Sequence, residues 1–117
     1  MFSRFTEHWS PKIVAELNGS EVKLVKIRGE FVWHHHDHED ELFLVVKGRL
    51  DMQYRAADGS SRTVAVNQGE FIVMPRGVEH CPRADEETHI LLLEPAGTLN
   101  TGNLTNERTV AEPESWL

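Results

Sequence analysis

Residues 33–48 read WHHHDHEDELFLVVKG, and how this stretch is read decides the fold. Positions 34–41 hold four histidines and four acids, and LFLVV follows at once. Side chains of an extended segment alternate sides with a period of two. His34 and His36 therefore project to one side, while Trp33 and His35 project to the other. Asp37-His38-Glu39-Asp40 makes a short polar turn. Glu41 then opens the next strand in phase with Phe43 and Val45, on the face that reads as core. A carboxylate there is costly to bury alone, and a cation compensates it. The competing reading is a solvated, charged surface turn.

The segments around this stretch read as strands broken by turns. IVAEL, Asn18-Gly19 and EVKLVKI form two alternating runs about a strong hairpin signal. Ser10-Pro11 competes as a helix start, but the Asn-Gly pair and the Val and Ile content favour the hairpin. ELFLVV ends at Lys47-Gly48, LDMQYR at Asp58-Gly59, RTVAV at Asn67-Gln68-Gly69, and FIVM at Pro75-Arg76-Gly77. VEHCPR ends at Asp85-Glu86-Glu87, and THILLLE closes the series. About eight strands spaced roughly 8–12 residues apart predict an all-β sandwich or barrel. No strand–helix–strand alternation points to a parallel α/β sheet. LFLVV, FIVM and ILLL are apolar on both faces, so a second layer or a partner subunit is expected over the outside. From Pro95 the chain turns polar, which predicts a domain over 1–94 and a tail over 95–117, pinned at its end by Trp116 and Leu117.

The chain has 117 residues, enough for one domain with its own core. A formal charge of −7 argues against nucleic acid and anionic membrane surfaces as partners. The single cysteine, Cys81, forms no intrachain disulfide, no apolar run reaches the roughly 20 residues of a membrane span, and the N-terminus is too polar for a secretory signal. A cytoplasmic protein is expected.

Strand parity needs a second half of the site, and Gly69–His80 supplies it: a strand, a Pro75-x-Gly77 turn and a histidine on the returning strand. His34, His36, Glu41 and His80 then converge as three nitrogen donors and one oxygen donor. His38 is the alternative ligand; His35 has the wrong parity. Cys81 faces away from the side of His80 and reads as a small buried hydrophobe. Asp37, Glu39 and Asp40 read as turn acids, one of which could orient an imidazole. His8 and His89 have no supporting constellation. Trp33 reads as packing rather than as a stacking platform for substrate.

Gly29–Gly48, with His-x-His, four residues, Glu, six residues and Gly, resembles the first motif of the cupin superfamily. Gly69–His80, with Gly, five residues, Pro-x-Gly, two residues and His, resembles the second. Two departures stand out: Gly29 comes one residue closer to His34 than is usual, and Ala84 stands where asparagine is often found. Neither touches a ligand position. The resemblance, to a small single-domain metal-binding cupin of the cupin_2 type, implies a double-stranded β-helix, an RmlC-like jelly-roll barrel. It further implies a homodimer and one divalent transition-metal ion on His34, His36, Glu41 and His80.

Four donors on an octahedral ion leave two positions open for substrate oxygen, water or dioxygen. Mixed nitrogen and oxygen donors without thiolate favour Fe, Mn, Ni, Co, Cu or Zn over Ca. Arg49, Arg76 and Arg83 are candidate clamps for a ligand carboxylate, and Tyr54 is the one candidate for a further acid or base. Two function classes follow. One is a metal-dependent enzyme on a small sugar-like or carboxylate substrate, of isomerase/epimerase or oxygenase type, with a likeness to mannose-6-phosphate isomerase-like cupins. The other is a small-ligand-binding module without turnover.

Overall fold

The computed structural model describes residues 1–117. After a turn of 3-10 helix at Phe2–Arg4, the strands are β1 Lys12–Leu17, β2 Ser20–Glu30, β3 Glu41–Lys47, β4 Arg49–Arg55, β5 Ser61–Asn67, β6 Phe71–Met74, β7 His80–Pro95 and β8 Glu114–Ser115. Ladders run β5-β4-β7-β2-β1-β8, with β3 paired to both β6 and β7. All are antiparallel except the short β1–β8 pair. The result is a jelly-roll β-barrel. No helix is long and apolar enough to cross a membrane.

The predicted hairpin forms. Asn18 and Gly19 both have positive φ, 48° and 82°, the conformation that matches the twist of the two flanking strands. Alternation along β3 also holds: Glu41, Phe43 and Val45 are buried inside, whereas Leu42 and Leu44 face outward and are half-buried. Val25, Ile27, Phe43, Val45, Leu50, Met52, Val66, Met74, Ala84, Ile90 and Leu92 form one buried cluster inside the barrel.

The expected break at Asp85-Glu86-Glu87 does not occur, because β7 runs through it as one strand of 16 residues. Ala84 pairs with Gly29 and Thr88 with Ile27, so the three acids stand opposite the single residue Arg28 in a bulge. Their side chains are exposed there. A bulge bends its strand. Before the bend β7 pairs with β4, and after it with β3, so one strand carries both neighbours and turns the corner of the barrel.

The segment carrying the clustered histidines is not a strand. Between β2 and β3 only His34 makes a bridge, to His80. The alternation expected of an extended chain survives: His34 and His36 are buried, and Trp33 and His35 are half-exposed.

Candidate metal centre

His34, His36, Glu41 and His80 each present one donor atom, and these atoms all lie within 4.8 Å of one another. All four residues are at most 4% exposed. Two are fixed by their own backbone. His34 Nδ1 lies 2.9 Å from the Val32 carbonyl oxygen, and His80 Nδ1 lies 2.8 Å from that of Val78. Each Nδ1–H is therefore the donor, which leaves the Nε2 lone pair of both rings for an ion. His36 Nε2 is 3.0 Å and His80 Nε2 3.4 Å from Glu41 Oε1. At these positions His36 Nε2, His80 Nε2 and Glu41 Oε1 have no hydrogen-bond partner, although all are buried. Buried polar atoms are rarely left so. Three orphaned atoms aimed at one point fit a cation, and the donor set of imidazoles and a carboxylate suits a transition metal.

Electrostatics sort the four groups. Burial, then the neighbouring His80, pushes His34 down to about 4, so it is neutral and ready to donate. Burial also acts against protonated His36, but the Glu41 carboxylate beside it wins and raises it. Burial alone would raise Glu41; interactions with Glu94, His36 and His80 outweigh that and hold it well below the usual carboxylate range. Burial and the adjoining Glu41 push Glu94 well above that range.

Glu94 is a residue that sequence reasoning missed. It is 2% exposed, and Lys23, equally buried, donates to its Oε1 at 2.7 Å. A lone Glu at the end of THILLLE gives no signal by itself; only the ladder from β2 to β7 brings Lys23 across to it. The cluster opens onto a cavity inside the barrel. His34, Glu41, Glu94 and Asn100 supply its polar lining, and Trp9, Phe31, Phe43 and Leu92 are among its apolar walls. The cavity encloses about 420 Å³ including its open mouth. Trp9 and Phe31 stack at 4.6 Å at this wall.

The other residues singled out in the sequence divide: the arginines, Tyr54 and the His8 and His89 readings are corrected, and those of His35, Trp33 and Cys81 stand. Arg49 and Arg83 clamp Asp51, at 3.1 and 3.3 Å, the exposed Arg76 guanidinium lies 3.9 Å from Asp40, and none of the three lines the cavity. An arginine guanidinium that does stand beside its wall is that of Arg108, from the C-terminal segment, 5.5 Å from the Trp9 ring and 5.7 Å from that of Phe31. Tyr54 pairs with His80 across β4 and β7 but packs on the core rather than lining the cavity. His38 is exposed and is outside the cluster. His35 lies between two acids, 3.2 Å from Glu79 and 2.9 Å from Asp37. His8 and His89 do share a partner, Glu87, at 2.8 and 3.3 Å. Trp33 packs under the guanidinium of Arg55, 4.7 Å away. Cys81 is fully buried, and its burial, then Glu30, pushes the thiol up to about 12, so it is inert.

The cupin domain family matches residues 21–94. The chain belongs to this family. As a cupin it is 46% identical to a cupin-2 domain containing protein from Shewanella frigidimarina, over 80% of this chain and 87% of that one, with a TM-score of 0.74. It is 31% identical over 81 residues to the uncharacterized protein YdbB of Bacillus subtilis, which spans 69% of this chain and 68% of the relative. Hydroquinone 1,2-dioxygenase PnpCD in complex with Fe3+ shares the fold at 20% identity and a TM-score of 0.71, over 80% of this chain and 30% of that one.

Proposed function

We propose that this cupin holds one divalent transition-metal ion on His34, His36, Glu41 and His80 and uses it on a small ligand, as an oxygenase-type enzyme. The observation that carries this reading is the set of three orphaned donor atoms beside a largely apolar cavity, onto which the cluster opens through His34 and Glu41. The ion would supply Lewis acidity and an open position for substrate oxygen or dioxygen. The chain's own part is to orient two imidazoles through Val32 and Val78, keep Glu41 ionised, and exclude bulk water with Phe31, Phe43 and Leu92.

The walls offer few hydrogen-bonding groups. A planar ligand with one or two oxygen donors suits them better than a polyhydroxylated sugar, which supports the oxygenase reading over the isomerase one. The iron-bound dioxygenase of the same fold supports it too, at the level of fold alone.

A homodimer belongs to the same reading. On the outer face, Val22, Leu93, Leu42 and Val73 form one cross-strand row, and Leu91, Leu44 and Phe71 a second. Phe71 is 63% and Val73 43% exposed. Contiguous apolar rows of this kind mark protein–protein contact.

The test is reconstitution with Fe(II) under nitrogen, addition of hydroquinone, and admission of air. Oxygen uptake that needs both the metal and His36 is expected. Protein that takes up no metal would overturn the reading at its root. Metal and ligand bound with no oxygen consumed would leave the second reading, a ligand-binding module.

A further inference from the structure

The family match ends at residue 94, yet the segment beyond it is built into the metal centre. Thr101 is fully buried, and Asn100 lines the cavity. The Asn100 side chain folds this segment on itself, donating to the Arg108 carbonyl at 2.7 Å and accepting from the Val110 N–H at 2.8 Å.

Asn103 then clasps His35 on both sides. Its backbone N–H donates to the His35 carbonyl at 3.0 Å, and its Oδ1 accepts the His35 N–H at 2.9 Å. His35 is the residue between two of the four donors. Its neighbours are held elsewhere: His34 by two hydrogen bonds with His80, and the His36 carbonyl by the Gly77 N–H. Gly102 brings the backbone hard against the same place. A Cβ there would lie 2.3 Å from the His35 carbonyl oxygen and 2.9 Å from Cδ2 of the His34 ring, and φ is +57°. Only glycine permits that approach.

Of the four donors His36 depends most on its backbone, because its Nδ1, unlike those of His34 and His80, has no partner to orient the ring. We propose that Asn103 is a positioning residue of the metal centre, and that the C-terminal segment closes on the barrel as part of that centre rather than as a separate tail. Placement of His36 and docking of the segment then favour one another, so the ion must also stabilise the docked segment. This inference rests on the metal reading above.

The test uses the full-length chain, with zinc as probe, in wild type, Asn103→Leu, Asn103→Asp and Gly102→Ala. Asn103→Leu and Gly102→Ala should weaken zinc roughly ten- to hundredfold, as loss of outer partners of metal ligands does. Asn103→Asp keeps the Oδ1 acceptor and should rescue most of that loss. The visible spectrum of Co(II)-loaded protein should change in Asn103→Leu and not in Asn103→Asp; a merely structural role would lower stability without changing it. Arg108 is the one Lys or Arg after Arg83, so trypsin release of Thr109–Leu117 reports undocking. Zinc should slow that release in wild type and not in Asn103→Leu. Equal zinc affinity in wild type and Asn103→Leu, or equal losses in Asn103→Leu and Asn103→Asp, would overturn the proposal, as would cleavage that ignores zinc. Wild type that binds no zinc would bring down this inference and the metal reading together; a wild type that binds zinc with an unaffected Asn103→Leu brings down this one alone.

Discussion

His34 and His80 are joined backbone to backbone, His34 N–H to His80 O at 2.9 Å and His80 N–H to His34 O at 2.8 Å. This is the lone bridge of an otherwise irregular segment, and it registers the two halves of the site against each other. Their rings sit 4.4 Å apart, centroid to centroid. Every donor is then placed relative to that bridge: His36 two residues on, and Glu41 at the first position of β3.

Removing donors should therefore act on the ion, and removing the thiol should not. His36→Ala and His80→Ala are expected to abolish stoichiometric zinc or iron uptake, since each leaves three donors and a buried carboxylate short of compensation. Cys81→Ser should leave uptake within a few-fold, because Cys81 is buried with its thiol pushed up to about 12. Elemental analysis of untagged protein decides. A dead cysteine variant beside a histidine variant that keeps its metal would contradict the assignment.

Proton competition gives a pH dependence whose sign follows from His36 and His34. His36 lies above its ordinary 6.5 in the metal-free protein and must be neutral to ligate. Metal uptake near neutral pH should therefore release a proton, and affinity should climb with pH until His36 has lost it. Its own contribution to metal-free stability has the opposite trend, full below 6.5 and lost as pH rises through the raised value. His34, near 4, works the other way: between 6.5 and 4 the unfolded chain binds the proton that the folded one refuses, so acid in that window destabilises the fold. Calorimetric titration of zinc in two buffers of different ionisation heat counts the protons. Zero release near pH 6.5 would refute the His36 assignment.

Lys23 and Glu94 predict a non-additive pair. Glu94→Leu leaves a fully buried ammonium with only the Thr98 carbonyl at 3.5 Å and Glu21 at 3.8 Å, and should cost about 3–5 kcal/mol. Lys23→Met with Glu94→Leu should regain most of it, because the unpaired ammonium is gone with its partner. Urea unfolding of the single and double variants measures the coupling. Equal destabilisation in both would mean that the pair is not what holds these side chains.

Assembly is tested on the outer rows. Wild type should sediment as a dimer at micromolar concentration, and Leu44→Lys should shift it to monomer without loss of secondary structure by circular dichroism. A monomeric wild type under those conditions would remove the reason given for the apolar rows.

The sequence alone determined the barrel and the four converging donors, for a local reason. Period-two alternation and turn residues are properties of neighbouring positions, so the inward phase of Glu41, Phe43 and Val45 and the parity of His34 and His36 are written in adjacent letters. Chain-distant pairing was legible only where a spaced pattern marked it, as Pro75-x-Gly77 did for His80. What only the tertiary structure decided lacks any such mark. Asp85-Glu86-Glu87 looks like a turn until the ladder to β2 shows it as a bulge opposite Arg28. Lys23 and Glu94 look like surface charges until β2 and β7 face each other inside the barrel. Arg49 and Arg83 look like ligand clamps until Asp51 claims them, and Arg76 until the fold leaves it exposed beside Asp40. The polar segment after Pro95 reads as a tail, and its composition could not say that Gly102 and Asn103 lie against His34 and His35. That contact depends on where the chain returns in space, and two hydrogen bonds to the His35 backbone decide it whatever the side chain at position 35.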